Sequence, residues 1–127
     1  NSSNAGFSNS EPWLPLHRDW RTPNAASQKQ DPDSMLSLYR ALLKLRREES
    51  SLSIGSLKLA KGSEHVLAYE RQHVSSRLEI LLNLTGTERR IPDRLGGGAM
   101  LLSTLGSPPP EGWLRPDEGL ILRKAED

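Results

Sequence analysis

The sequence predicts a mainly β fold: an antiparallel β-sandwich of the Greek-key type, preceded by an irregular loop and one long amphipathic helix. Three observations lead to this prediction. Residues 1–30 have no hydrophobic period, residues 31–49 have the period of a helix, and residues 52–127 contain short apolar segments separated by turn signals. Short strands spaced every ~8–12 residues are typical of sandwiches and barrels.

Length and composition restrict the class of protein. A chain of 127 residues suits one domain, or one domain with attached pieces of another. Its formal charge of +1 implies no strong attraction to nucleic acid or to a membrane surface, so neither is expected as a partner. The absence of cysteine excludes disulfides and thiolate metal sites, and favours a cytoplasmic location. No apolar segment approaches the ~18 residues of a membrane span, and none has the pattern of a signal peptide.

Residues 1–30 are rich in Asn, Ser and Pro and are predicted to form a loop. The segment nevertheless contains Phe7, Trp13 and Trp20, which are three of the six aromatic residues. Disordered tails are poor in aromatic residues because nothing buries them. These rings are therefore expected to pack either on this chain's own domain or on a domain outside the sequence.

Residues 31–49 are predicted to form the helix. Asp31 is the expected N-cap and Pro32 the expected first helical residue. The apolar arc covers about 180° at ~100° per residue, whereas packing against one layer needs little more than ~100°. We therefore expect the helix to contact two neighbours. The residues of this arc are Met35, Leu36, Leu38, Tyr39, Leu42, Leu43 and Leu45.

From Leu52 onward the pattern changes to that of strands. The segment 77–85 is the most apolar and is expected to be the central strand. Turn signals such as GGG, GSPPPEG and PDEG separate the later segments. The other predicted strands are 51–60, 65–72, 88–92, 99–104, 113–116 and 119–124.

Residues that commonly carry chemistry do not form a recognisable set. His17, His65 and His73 lie in different segments without partners at metal-ligand spacing. LGGGA at 95–99 lacks the Lys-Ser/Thr and the following helix of a phosphate loop. Asn83 begins an N-glycosylation pattern, but its place on an apolar strand argues against modification. The sequence thus predicts no catalytic, substrate-binding or metal-ligating residue and no cofactor.

Several motifs occur in a distinctive order. They are NAGFS at 4–8, PWLP at 12–15, Gln28, DPDS at 31–34, Tyr39-Arg40, Leu45-Arg46, Leu52, Gly55, ILLNLT at 80–85 and LRPDEGLILRK at 114–124. In this order they resemble the α-glucosidase and oligo-1,6-glucosidase branch of the α-amylase superfamily, glycoside hydrolase family 13. HRDW at 17–20 stands where this branch often has NPNY, so the resemblance leaves open the choice between α-1,4 and α-1,6 links.

The resemblance implies a place for each segment. Residues 1–30 would form a rim loop of a (β/α)8 barrel, residues 31–49 its last helix, and residues 52–127 the C-terminal β-sandwich domain. Members of the family hydrolyse α-glucosidic bonds with retention, through an Asp nucleophile and a Glu acid–base. The resemblance places those carboxylates upstream of residue 1. The chain is thus expected to be the non-catalytic C-terminal part of a truncated enzyme, with the catalytic barrel as its partner and substrate reached only through the parent.

Two alternatives remain open. One is a carbohydrate-binding β-sandwich module, for which Tyr69 and Trp113 are the available aromatic rings. The other is the ectodomain tail of an amino-acid transporter heavy chain, a class that shares parts of the same motifs. For the leading interpretation we also expect the isolated chain to expose part of Met35–Leu45 and to self-associate.

Overall fold

The computed structural model describes residues 2–22, 24–74 and 76–125. The chain divides into two compact units, Asn1–Arg40 and Ala41–Asp127. The first unit has little regular structure, as its composition predicts. The second unit contains all the strands that the structure describes.

Local hydrogen bonds organise the first unit. A turn over Ser3–Gly6 has positive φ at Asn4 (51°) and Ala5 (55°). The Asn4 carboxamide holds this turn by donating to the carbonyls of Ser8 (3.2 Å) and Ser10 (2.8 Å). A short helix that the sequence pattern did not predict, α1 (Ala25–Gln28), is closed by a capping box between Asn24 and Ser27.

The long helix, α2 (Met35–Glu48), begins three residues after Pro32, the predicted first helical residue. Ser34 is buried, and its hydroxyl accepts from the backbone N–H of Ser37 at 3.2 Å, as an N-cap does. The Asp31 carboxylate instead accepts from the N–H of Asp33 at 2.9 Å, within the turn before the helix. The prediction of Asp31 as N-cap and Pro32 as first helical residue is therefore wrong, because Ser34 provides a capping hydroxyl one turn later.

A helical turn, α3 (Ser50–Ser53), occupies the start of the first predicted strand. The N–H of Ile54 donates to the carbonyl of Ser50 at 2.9 Å, and Leu52 packs against the core. Alternating apolar residues predicted a strand here, but burial of Leu52 beside the end of α2 favours the turn. The strand itself, β1, covers only Ser56–Leu59.

Five strands form one antiparallel sheet with the order β1-β2-β3-β7-β5. The prediction that residues 77–85 form the central strand is confirmed, because β3 lies in the middle of this order. The last strand, β7, lies between β3 and β5, so the order is not sequential, as in Greek-key connections. The bounds are β2 Val66–His73, β3 Ser76–Asn83, β5 Ala99–Ser103 and β7 Gly119–Arg123. A second sheet pairs β4 (Arg89–Arg90) with β6 (Trp113–Leu114).

Both faces of the large sheet are covered by apolar side chains. On the inner face, strand residues pack with Leu114 of the small sheet and with Ile91, which directly follows β4. On the opposite face, Leu42 and Leu45 of α2 pack against other strand residues; we call this the helix face. The inner cluster contains Val66, Ala68, Leu81, Leu120 and Leu122, and the helix-face cluster contains Leu78, Ile80 and Ile121.

Candidate docking surface

The apolar arc of α2 is only partly covered. Leu42 and Leu45 pack against the helix face of the sheet. Met35, Tyr39 and Leu43 are 62%, 59% and 53% exposed. These three residues recur every four positions, so they share one side of the helix. We call them the helix stripe. The sheet covers one part of the arc, and the prediction that the helix contacts a second neighbour stays a prediction.

Further leucines are exposed near the edge of the sheet. Leu57 and Leu59 alternate along β1, and Leu59 lies opposite Tyr69 of β2 in the register. Leu67 is exposed two residues before Tyr69, so all four side chains share one face of the sheet. Because Tyr69 packs in the helix-face cluster, this is the helix face. We call Leu57, Leu59 and Leu67 the edge patch.

A network of polar contacts fixes the corner between α2 and the sheet. Arg71 Nε donates to the Ser51 carbonyl at 3.0 Å, and the hydroxyls of Ser51 and Ser76 are 3.0 Å apart. Ser76 Oγ also donates to the Glu49 carboxylate at 3.2 Å, and Glu49 forms an ion pair with Arg123. The corner thus connects the end of the helix to β2, β3 and β7. This network holds the C-terminal part of α2 in one orientation on the sheet.

Gly55 lies where the chain turns from α3 into β1. A Cβ atom there would lie 2.4 Å from the Ser51 carbonyl oxygen and 2.9 Å from that of Gln72. Both obstacles are backbone atoms, which cannot move aside as a flexible side chain can. The glycine is therefore required by the close approach of α3 and β2.

The buried carboxylates Glu79 and Glu118 each form an ion pair with a neighbouring cation. Glu118 accepts from Ser103 Oγ at 2.6 Å and from both Nε and Nη2 of Arg115. Burial opposes ionisation of Glu118, but these hydrogen bonds outweigh burial and keep the pKa of its carboxyl below the ordinary 4.5. Glu79 accepts from the N–H of Gly96 at 2.6 Å and lies 3.6 Å from Lys124 Nζ. Each carboxylate is held by a cation, as in a structural ion pair.

Two of the histidines have a polar contact within their own unit. His73 Nδ1 lies 3.0 Å from Ser50 Oγ, and His17 Nδ1 lies 4.0 Å from a carboxylate oxygen of Asp19. Within residues 2–22, 24–74 and 76–125, no three His, Asp or Glu side chains are grouped so that they would hold a metal ion. In the same ranges, no buried side-chain polar atom lacks a hydrogen-bond partner. No described helix is long and apolar enough to cross a bilayer.

The three aromatic residues of the first segment differ in exposure. Phe7 is 84% and Trp13 is 91% exposed. Trp20 is half-buried, and the Arg21 guanidinium lies over its ring, 4.4 Å from the centroid. Phe7 and Trp13 therefore do not pack within the first unit, and the expectation that they pack on this chain's own β domain or on a domain outside the sequence stays a prediction.

Comparisons with known proteins identify the family. Residues 1–55 match the model of the α-amylase catalytic domain. The probable oligo-1,6-glucosidase 3 of Bacillus subtilis is 32% identical over 109 residues, which cover 83% of this chain and 20% of that protein. The chain belongs to the α-amylase family, in its α-glucosidase branch. The two sheets form the C-terminal β-sandwich of this family.

Two further relatives bear on function. The trehalulose synthase MutB from Pseudomonas mesoacidophila MX-45 has a solved structure that superposes on 97% of this chain with a TM-score of 0.82 and 28% identity. This chain covers 24% of that protein. The amino acid transporter heavy chain SLC3A1 of Rattus norvegicus is 41% identical over 73 residues, which cover 57% of this chain and 11% of that one. The chain thus spans a fifth of the oligo-1,6-glucosidase, about a quarter of MutB and about a tenth of the heavy chain.

Proposed function

We propose that this chain is the non-catalytic C-terminal part of an α-glucosidase-like glycoside hydrolase and that it stabilises the catalytic (β/α)8 barrel. In this proposal residues 1–30 are a rim loop, residues 31–49 contain the last barrel helix and residues 52–127 are the sandwich domain. One observation carries the proposal: α2 packs one part of its apolar arc on the sheet and leaves the helix stripe exposed.

The energetic argument concerns the exposed part of the helix. Burying a stripe residue against the barrel would contribute roughly 1 kcal/mol for each side chain, because about half of its surface is still open to water. The corner network keeps the end of the helix fixed on the sheet, so little conformational entropy is lost when the stripe docks. The match of residues 1–55 to a catalytic-domain model supports the same assignment, because these residues include α2.

In the whole enzyme, an Asp nucleophile and a Glu acid–base would carry out retaining hydrolysis of an α-glucosidic bond. Glu79 and Glu118, which are buried in the described part of this chain, are each held by a neighbouring cation. We therefore expect the purified chain to show no turnover of an aryl α-glucoside. Turnover that persists at constant specific activity through successive purification steps would contradict the proposal.

The transporter heavy chain is the second candidate, because the 41% identity to SLC3A1 favours it. The two candidates differ in what precedes residue 1. The proposed hydrolase requires an upstream barrel with catalytic Asp and Glu residues, and the lack of cysteine supports a cytoplasmic location for it. Determining the upstream coding sequence distinguishes them: a transmembrane helix without the catalytic carboxylates would replace our proposal with the heavy chain.

A further inference from the structure

Trp113 lies on the outer side of the small sheet. The next residue of β6, Leu114, is fully buried in the inner cluster, whereas Trp113 is 43% exposed. Successive side chains of a strand point to opposite faces, so the indole points away from the core. In the register Trp113 lies opposite Arg90. The indole and this guanidinium are therefore neighbours on one outward-facing surface.

A cleft adjoins this pair. It has a volume of about 370 Å³, and its lining includes Arg90 as well as Glu111 and Gly112, which directly precede Trp113. Arg94, Asp93 and Lys124 complete its charged lining. The cleft thus contains three cationic and two anionic side chains, so it has no large excess of charge that would select an anion.

Two charged residues of the cleft lining, Arg90 and Asp93, are held only by an exposed ion pair. Arg90 and Asp93 form an ion pair of 2.9 Å, but their side chains are 70% and 87% exposed. An ion pair this exposed contributes little to stability. Both groups are therefore available to a ligand, the guanidinium as a donor and the carboxylate as an acceptor.

We propose that Trp113 and the adjoining cleft bind a short, neutral, α-linked glucose oligosaccharide. The apolar C–H face of a glucose ring stacks on the indole, while its hydroxyl groups donate to Asp93 or Glu111 and accept from Arg90. A ligand with many hydroxyls needs donors and acceptors together, which the balanced charge of the cleft provides. Tyr69 does not contribute, since it packs in the helix-face cluster. The choice of glucose rests on the proposed function.

The binding test uses the chain with ¹⁵N-labelled tryptophan, titrated with maltotriose and with isomaltotriose. We expect the indole N–H resonance of Trp113 to shift with sugar, and those of Trp13 and Trp20 to stay in place. Trp113→Ala should weaken binding, detected by calorimetry, at least about tenfold. Arg90→Ala should weaken it to a smaller extent, and Trp13→Ala, the exposed-tryptophan control, should leave the dissociation constant within about twofold.

Three results would overturn the inference: no shift at Trp113, unchanged affinity of both cleft variants, or inorganic phosphate shifting the same resonance more strongly than either sugar. Spectral dispersion of each variant verifies its fold, and Trp113 is exposed enough for its removal to leave the core in place. The upstream coding sequence tests the proposed function separately. A barrel found upstream together with absent sugar binding would refute only the present inference.

Discussion

The guanidinium of Arg115 and the carboxylate of Glu118 form a two-point ion pair inside the sandwich. Arg115 Nη2 lies 2.6 Å from Glu118 Oε1, and Arg115 Nε lies 3.1 Å from Oε2. The carboxylate is also bound by Ser103 Oγ and by the backbone N–H of Arg115. This pair closes the turn between β6 and β7, and it joins that turn to β5 through Ser103.

Replacing one partner of this pair should destabilise the sandwich. We expect Glu118→Gln to lower the free energy of unfolding by about 3 kcal/mol at neutral pH, because the guanidinium is left without its counter-charge. Glu118 has a pKa below 4.5 in the folded state, so the native pair stabilises above that pH and its contribution is lost as the pH falls through the folded pKa. As the pH falls from about 5 to about 3, the free energy of unfolding should therefore decrease less in Glu118→Gln than in the wild-type chain.

Urea unfolding at several pH values measures this effect, with the exposed Glu111→Gln as the control. An equal pH dependence in the wild-type chain and in Glu118→Gln would show that the pair does not titrate as proposed.

Gly55→Ala should destabilise the corner between α3 and β1. The added methyl group would lie 2.4 Å from a backbone oxygen, and the backbone shift that relieves this clash should cost about 1–3 kcal/mol. Gly86→Ala is the matched control, because a Cβ atom at Gly86 meets nothing within 4 Å. Thermal unfolding of both variants compares them, and an equal change in Tm for the two would contradict the account.

Leu43→Asp should have different effects in the isolated chain and in the longer polypeptide that the proposal requires. In the isolated chain Leu43 is 53% exposed, so we expect a change in unfolding free energy within about 0.5 kcal/mol. In the longer polypeptide the substitution would bury a carboxylate at the barrel interface and lower Tm by several degrees. Leu105→Asp is the control, because Leu105 is 46% exposed on a loop. It should leave the stability of both proteins unchanged.

The isolated chain should self-associate through its exposed apolar residues. The edge patch lies on an edge strand and on its neighbour, where unpaired backbone groups also favour association with another chain. Analytical ultracentrifugation should therefore show dimers or larger species at high concentration, and Leu59→Ser should weaken association while Leu105→Ser does not. Strictly monomeric sedimentation of the unmodified chain would refute this prediction.

Sequence periodicity located the strands because each lies between strong turn signals. It failed at the two ends of the helical region for one physical reason. At Asp31 and at Leu52, several local conformations suit the same residues, and the contacts of the folded chain decide between them. Ser34 caps the helix because its hydroxyl accepts from the N–H of Ser37, and Leu52 enters a helical turn because it joins the helix-face cluster.

The helix stripe and the cleft beside Trp113 also differ in how far the sequence alone predicts them. The exposed stripe of α2 followed from the width of its apolar arc, which sequence alone reveals. The cleft beside Trp113 could not be predicted in this way, because it combines residues from the 90–97 segment, the 111–112 turn and the end of β7. Only the strand register brings Arg90 next to Trp113. Contacts of this kind have no local signal in a single sequence.

Oxidation of the two methionines tests the central claim, that the helix stripe docks on a barrel. Met35 belongs to the stripe and is 62% exposed, whereas Met100 lies on β5 and is 38% exposed. Peroxide converts accessible methionine to the sulfoxide, which mass spectrometry quantifies by peptide. We predict rapid oxidation of Met35 in the isolated chain and strong protection of Met35 in the longer polypeptide, with Met100 oxidised at the same rate in both. Equal oxidation of Met35 in the two proteins would contradict the account.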